Sequence, residues 1–353
     1  MGDEASVEGR VLTVLGPVDP AEIGPALLHE HLLNDIRRMV PEPEDPDARR
    51  LYHLPVTLEH LGEILWSRPG MLSKDNIDQG SIELRTTELI AYREAGGGTV
   101  AEVSAIGLRH DARELIELSR GSGIHIVAGT AFFVETLTPD EFLDLSAEAL
   151  AGVLINEHRV GIGDTGVRAG FIGEVGTSAP VTAFEERSLR ASVIAMRATG
   201  MGMMVHTDPW AKAGLQVVDI LEDAGADLSR VVIGHLNPTL PDVAYHRSIA
   251  ERGAVLGYDL CGYDIVHTPG RFPARDWETA DAVATLVGAG HGGRIILSMD
   301  TALKTDYVRY GGWGFGHVLR HMVPLLAERG LDEAAIRTIT TDTPTRILTL
   351  KPG

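Results

Sequence analysis

Short apolar runs, each ending in polar residues and followed by a longer amphipathic stretch, repeat along this chain. Such runs cover Pro25–His31, Thr99–Ser104, His125–Thr130, Ala169–Val175, Gly202–Thr207, Val231–His235, Ala254–Asp259 and Arg294–Asp300. Their length and their Val, Ile and Leu content predict buried strands. Helical spacing marks Asp111–Ser119, Phe184–Ala198, Gly214–Ala224, Ala280–Val287 and His317–Arg329 between them. The alternation predicts an α/β fold with a parallel sheet. Eight strands with intervening helices fit a single closed (β/α)8 TIM barrel, and an open doubly wound sheet gives the same alternation. The stretch from Asp35 to Asn76 is a long insertion after the first strand, expected to cover part of the barrel mouth or its outer wall. Residues 1–10 read as a mobile N-terminal segment and residues 11–353 as one barrel domain.

Composition narrows the function. The 353 residues are 44% hydrophobic, enough for a large core. Fifty acidic residues against 31 basic ones give a formal charge of -19, which opposes binding to nucleic acid or an anionic membrane. A small anionic substrate is still compatible with a local basic pocket. Cys261 is the single cysteine, so an internal disulfide and a multi-thiolate metal site are both excluded. The N-terminus has no basic region followed by an apolar run, and no stretch approaches the ~18–20 apolar residues of a membrane span. The expected location is cytoplasmic.

The chemistry gathers at strand ends. Residues capable of binding metal close five of the predicted strands: His29 and His31 the first, Glu174 the fourth, His206 the fifth, His235 the sixth and Asp300 the eighth. In a barrel these ends form the face that carries active sites. Alternation along the first strand points His29 and His31 inward and Glu30 away. Each piece alone has a plainer explanation: a hydrogen-bonded core histidine, an arginine-paired Glu174, or a helix N-cap at Asp300. Together, four imidazoles and two carboxylates on one rim are costly to bury without a cation. Imidazole and carboxylate suit Zn2+, and also Mn2+, Fe2+ or Co2+. Six ligands suffice for two divalent ions if one carboxylate bridges them, and such a pair ionises a shared water near neutral pH.

These residues lie in motifs that resemble the phosphotriesterase family of the amidohydrolase superfamily. The motifs run in order: LLHEHL at Leu27–Leu32, VRAGFIGEVGTS at Val167–Ser178, VHTDP at Val205–Pro209, VVIGH at Val231–His235 and ILSMD at Ile296–Asp300. The resemblance extends from Val14 to Arg346. It implies an amidohydrolase-type barrel with a binuclear centre at its C-terminal face. His29, His31 and Asp300 would hold the more buried metal, His206 and His235 the more exposed one, and Glu174 would bridge them. Phosphotriesterases proper bridge with a carboxylated lysine on the fourth strand. Here the four lysines, Lys74, Lys212, Lys304 and Lys351, all lie elsewhere. Glu174 resembles the bridging glutamate of the phosphotriesterase homology, or phosphotriesterase-related, proteins and the phosphofuranose lactonases. The proton-relay histidine that follows the seventh-strand aspartate in phosphotriesterases is replaced by Leu260, after Asp259. The stretch Tyr310–Gly316 also resembles the glutamate-bridged branch. Both departures argue against phosphotriesters as native substrates.

Arg109, Arg271, Arg275, Lys304 and Arg309 fall in loops expected at the barrel mouth. Of these, Arg271, Arg275, Lys304 and Arg309 lie after the last two strands, where barrels often hold phosphate, and are the candidate anion contacts. Pairing with surface acids explains them equally well. Phe133 is a candidate apolar wall. The expected reaction is hydrolysis of a lactone or carboxylic ester with a possible anionic substituent: a bridging hydroxide attacks the carbonyl and Asp300 shuttles the proton. Hydrolysis of an N-acylated small molecule is the alternative. A phosphotriester hydrolase and a catalytically silent binding protein stand behind both. A homodimer is expected from the family resemblance.

Overall fold

The computed structural model describes residues 7–36, 40–66, 73–109, 111–265 and 274–352. A short antiparallel hairpin, β1 (Val11–Thr13) and β2 (Gly16–Val18), precedes the barrel. Eight parallel strands follow: β3 (Ala26–Glu30), β4 (Thr99–Glu102), β5 (His125–Thr130), β6 (Phe171–Gly176), β7 (Met203–His206), β8 (Val231–Ile233), β9 (Val255–Tyr258) and β10 (Ile295–Leu297). Each pairs with the next in sequence order. The two edges meet where the Asp300 N–H donates to His29 O at 3.1 Å and the His31 N–H to Thr301 O at 3.3 Å. The sheet therefore closes as a TIM barrel, and the open-sheet alternative falls away.

Helices flank these strands, and local sequence sets their ends. The helix Ala183–Thr199 starts with a reciprocal capping box between Thr182 and Glu185, and Gly200 ends it at φ 72°. Two apolar layers result. Ala26, Leu28, Val103, Val127, Phe171, Met204, Val232, Val255 and Ile296 fill the barrel interior, with Ile347 and Leu348 joining them. A larger layer, including Leu27, Ile172, Val205, Ile233 and Leu256, lies between strands and helices. Opposite the strand C-termini, the chain ends clasp: the Gly9 N–H donates to Leu350 O and the Leu350 N–H to Arg10 O.

β3 and β6 both change register partway along, between Leu27 and Glu30 and between Ile172 and Val175. Simple alternation breaks there. Leu28 packs in the interior layer, yet its neighbour His29 also enters the barrel's polar cluster. Such irregularities re-aim side chains beside sites. At Gly129 an added Cβ would lie 2.5 Å from Gly173 O, so only glycine allows β5 and β6 to pass this closely. The insertion contributes helices Pro46–Tyr52 and Leu61–Trp66. It docks on the loop after β10, where Lys304 Nζ meets Asp75 at 2.7 Å and the Thr305 N–H donates to Asn76 Oδ1.

Candidate metal centre

The strand C-termini bring His29, His31, Glu174, His206, His235 and Asp300 together. Glu174 sits at the middle with its two oxygens divided. Oε1 is 3.2 Å from His31 Nε2. Oε2 is 3.2 Å from His29 Nε2 and 3.1 Å from His206 Nδ1. Asp300 Oδ1 lies 3.0 Å from His31 Nε2 and 3.7 Å from His29 Nε2. His235 Nε2 is 2.8 Å from His206 Nδ1. Two sets of donor atoms each fall within 4.8 Å of one another: His29, His31 and Asp300, and His29, Glu174 and His235.

The donors fit divalent cations. His29 Nε2 is buried with no hydrogen-bond partner, an atom that otherwise carries a desolvation cost. Burial by itself would lower the His29 pKa, but Glu174, Asp259 and Asp300 together raise it well above the ordinary imidazole value. His31, likewise opposed by burial, is pushed up to about 10 by Asp300 and Glu174. Burial would raise Glu174, and the charge of His29, with hydrogen bonds from His206 and His31, instead pulls it well below the usual carboxylate range. His206 is lowered by burial and by His235 beside it. The carboxylates thus draw positive charge into a buried cluster, as protons or as cations.

Outer partners orient these rings. Asp259, fully buried at the end of β9, accepts from His29 Nδ1 at 2.8 Å through Oδ2, and from His235 Nδ1 at 3.1 Å through Oδ1. Those bonds fix the tautomers and leave both Nε2 lone pairs facing the cluster. Gly234 makes room for this carboxylate, because an added Cβ would lie 2.7 Å from Asp259 Oδ2. Ser104 Oγ holds His31 Nδ1 at 2.9 Å. Glu30, which alternation turned away from the site, has its own task. It accepts from Ser298 Oγ, the Met299 N–H and the Thr301 N–H, while Ser298 Oγ accepts the His29 N–H. One buried carboxylate thereby secures the turn on both sides of Asp300. Among the described residues, His235 and Asp300 are the non-glycine residues at positive φ, 56° and 50°. Such backbone strain is sustained by surrounding contacts and gathers at functional sites. Sequence reading missed Glu30 and the orienting role of Asp259; the position of Asp259 at a strand end was the available signal.

A cavity of about 200 Å3 opens above the cluster. Ile36, Leu108, Phe133, Pro209, Leu260 and Ala302 give it apolar walls, and Asn34 adds a polar group. Phe133 packs edge-on to His206 at 4.8 Å between ring centroids. The expected cationic contacts are not among the lining residues. Arg275 precedes the helix Asp276–Gly288 and borders a separate groove. Lys304 is paired with Asp75, and Arg109 with Glu157. Arg309 is exposed, and Arg271 lies outside the described residues. In a chain so rich in acids, cations find carboxylate partners before they find a pocket.

The chain matches the model of the Phosphotriesterase family over residues 9–348. It is 33% identical to the N-acetyltaurine hydrolase of Tetraodon nigroviridis over 353 residues, spanning 98% of this chain and 100% of that one. A resiniferatoxin-binding protein from Rhodobacter sphaeroides superposes with a TM-score of 0.91 at 34% identity, covering 96% of this chain and 95% of the other. The lactonase Lmo2620 from Listeria monocytogenes shares the fold, with a TM-score of 0.77 at 22% identity over 97% of this chain and 100% of that one. With sequence and architecture matched along nearly their whole length, the chain belongs to the phosphotriesterase family.

Proposed function

We propose that this hydrolase cleaves the amide bond of a small N-acylated compound at a centre of two divalent metal ions. The observation that carries the metal centre is the central place of the Glu174 carboxylate, which meets His31 through Oε1 and both His29 and His206 through Oε2. His29, His31 and Asp300 would hold one ion, His206 and His235 the other, with Glu174 between them. When bound, such ions supply Lewis acidity and make water a nucleophile near neutral pH. The chain's own residues do the rest. Asp259 and Ser104 keep the imidazoles aimed. Leu108, Phe133 and Leu260 exclude bulk water and leave room for a short acyl group. The Asp300 carboxylate, 19% exposed at the cavity floor, takes a proton from the attacking water and passes it to the departing nitrogen.

The full-length relatives named as N-acetyltaurine hydrolases support an amide over the lactone first expected from the sequence. The described cavity wall, without a lysine or arginine, gives no support to a buried anion site. Metal-loaded protein tested against N-acetyltaurine, N-acetyl amino acids, unsubstituted lactones and a chromogenic phosphotriester should hydrolyse a short-chain N-acyl compound best. Chelation should abolish that activity and Zn2+, Mn2+ or Co2+ should restore it. A lactone or triester turned over best would overturn the amide reading. Folded protein that takes up no metal would overturn the centre itself.

A further inference from the structure

Among the described lining residues, Asn34 is the polar one that stands outside the ligand cluster. It is 2% exposed, and its Oδ1 is buried without a hydrogen-bond partner. Leaving such an acceptor unpaired is destabilising, because its lost hydration is not replaced. The backbone around it is well secured. The Asn34 N–H donates to Gln79 Oε1 at 2.9 Å, and Gln79 Nε2 donates to His31 O at 2.6 Å. Asn34 also bridges to Arg109 in an antiparallel contact. One buried glutamine thus ties Asn34 to the strand end that carries His31. These bonds fix the Asn34 backbone beside the cavity, and the carboxamide oxygen has no donor among its neighbours.

Building on the amide reading above, we propose that Asn34 is a specificity-determining residue whose Oδ1 accepts the N–H of the scissile secondary amide. An ester or lactone presents an oxygen lone pair at the same place. Facing Oδ1, that oxygen is repelled and leaves the carboxamide unsatisfied. A site built to pair with a donor discriminates strongly against an analogue lacking it. The substrate class that follows is a secondary carboxamide with a short acyl group, and tertiary amides are excluded with the esters.

The test compares kcat/KM for an N-acetyl amine and its O-acetyl isostere in wild type, Asn34→Leu and Asn34→Ala. Leu keeps the volume and Ala removes it, so a steric block shows as a difference between them. The amide-to-ester ratio should fall about tenfold or more in both variants. Metal content should hold at the wild-type value. The Tm of Asn34→Leu should equal or exceed that of wild type, because an unpaired buried acceptor has been replaced by an apolar group of similar size. Equal losses on both substrates, or an unchanged ratio, would overturn the role of Asn34. A wild-type enzyme that cleaves esters and no amide would overturn the amide reading instead, and that outcome is visible before any variant is made.

Discussion

Glu174 and Asp259 are both buried carboxylates, the first against three histidines and the second against two, yet their replacement should have different effects. Both Glu174 oxygens face imidazole nitrogens, so Glu174→Gln turns one of two anionic faces into an N–H donor pointed at them. Metal retention through dialysis should fall below one ion per chain. Turnover should drop by more than the roughly 10–100-fold typical of outer partners. Asp259→Asn should stay within that smaller range, because it loosens the His29 and His235 rings without removing a donor to the metals. Elemental analysis beside kcat separates the two; equal metal loss in both variants would contradict the division of roles. Since no lysine lies near Glu174, bicarbonate should not change the rate at which apoprotein is reloaded.

At the scale of elements, the packing of β9 against the helix Val243–Glu251 contains a measurable pH dependence. His246 is buried between them, with Nδ1 2.7 Å from the Tyr258 hydroxyl and Nε2 2.7 Å from Thr239 Oγ1. The Thr239 hydroxyl donates to Leu236 O, so His246 must donate from Nε2 and accept at Nδ1. Burial pushes its pKa down to about 4. A depressed pKa makes the unfolded chain bind the proton first as pH falls from about 6.5 to 4, so the stability from His246 is complete above that window and lost through it. The full contribution is about 3 kcal/mol. His246→Gln should flatten the Tm-against-pH curve across this range; a curve parallel to wild type would contradict it. Legibility in the sequence varied at the same scale. All eight barrel strands were readable because strands buried on both faces are apolar throughout. The helices Ile82–Glu94 and Ala147–Arg159 and the hairpin β1–β2 were not read. Ile82–Glu94 buries Arg85 and Glu88, and Ala147–Arg159 buries Glu157 and His158, so polar residues stand where an apolar face was sought. Their partners are remote: Glu88 accepts from the Val308 and Arg309 N–H groups. The six candidate ligands were legible because each closes a strand. Glu30 was not, since its bonds reach residues 268–271 positions away, and which acid pairs with Lys304 was not legible because Asp75 is 229 positions distant.

Over the whole molecule, the barrel has a reactive end and a sealed end. Arg230, just before β8 and buried, stands at the seal, donating to Gly200 O at 2.6 Å and to Ile347 O and Thr349 O at 2.8 and 2.5 Å. Burial lowers its pKa to about 10, still cationic near neutrality. Arg230→Met should remove three hydrogen bonds, cost about 3 kcal/mol and lower Tm by roughly 4 °C. The kcat/KM of the folded fraction should hold, because His235 lies at the other end of the same strand; a matching loss of kcat/KM would show that the two ends are coupled. The seal also has a consequence for synthesis. Ile347 and Leu348 close the interior from below, and they are made after every barrel strand. A ribosome adding about 5–20 residues per second needs roughly 3–10 s to pass from Leu297 to Ile347. Throughout that interval all eight strands have been synthesised and the residues that floor the barrel have not, so the inner apolar layer cannot yet be sealed.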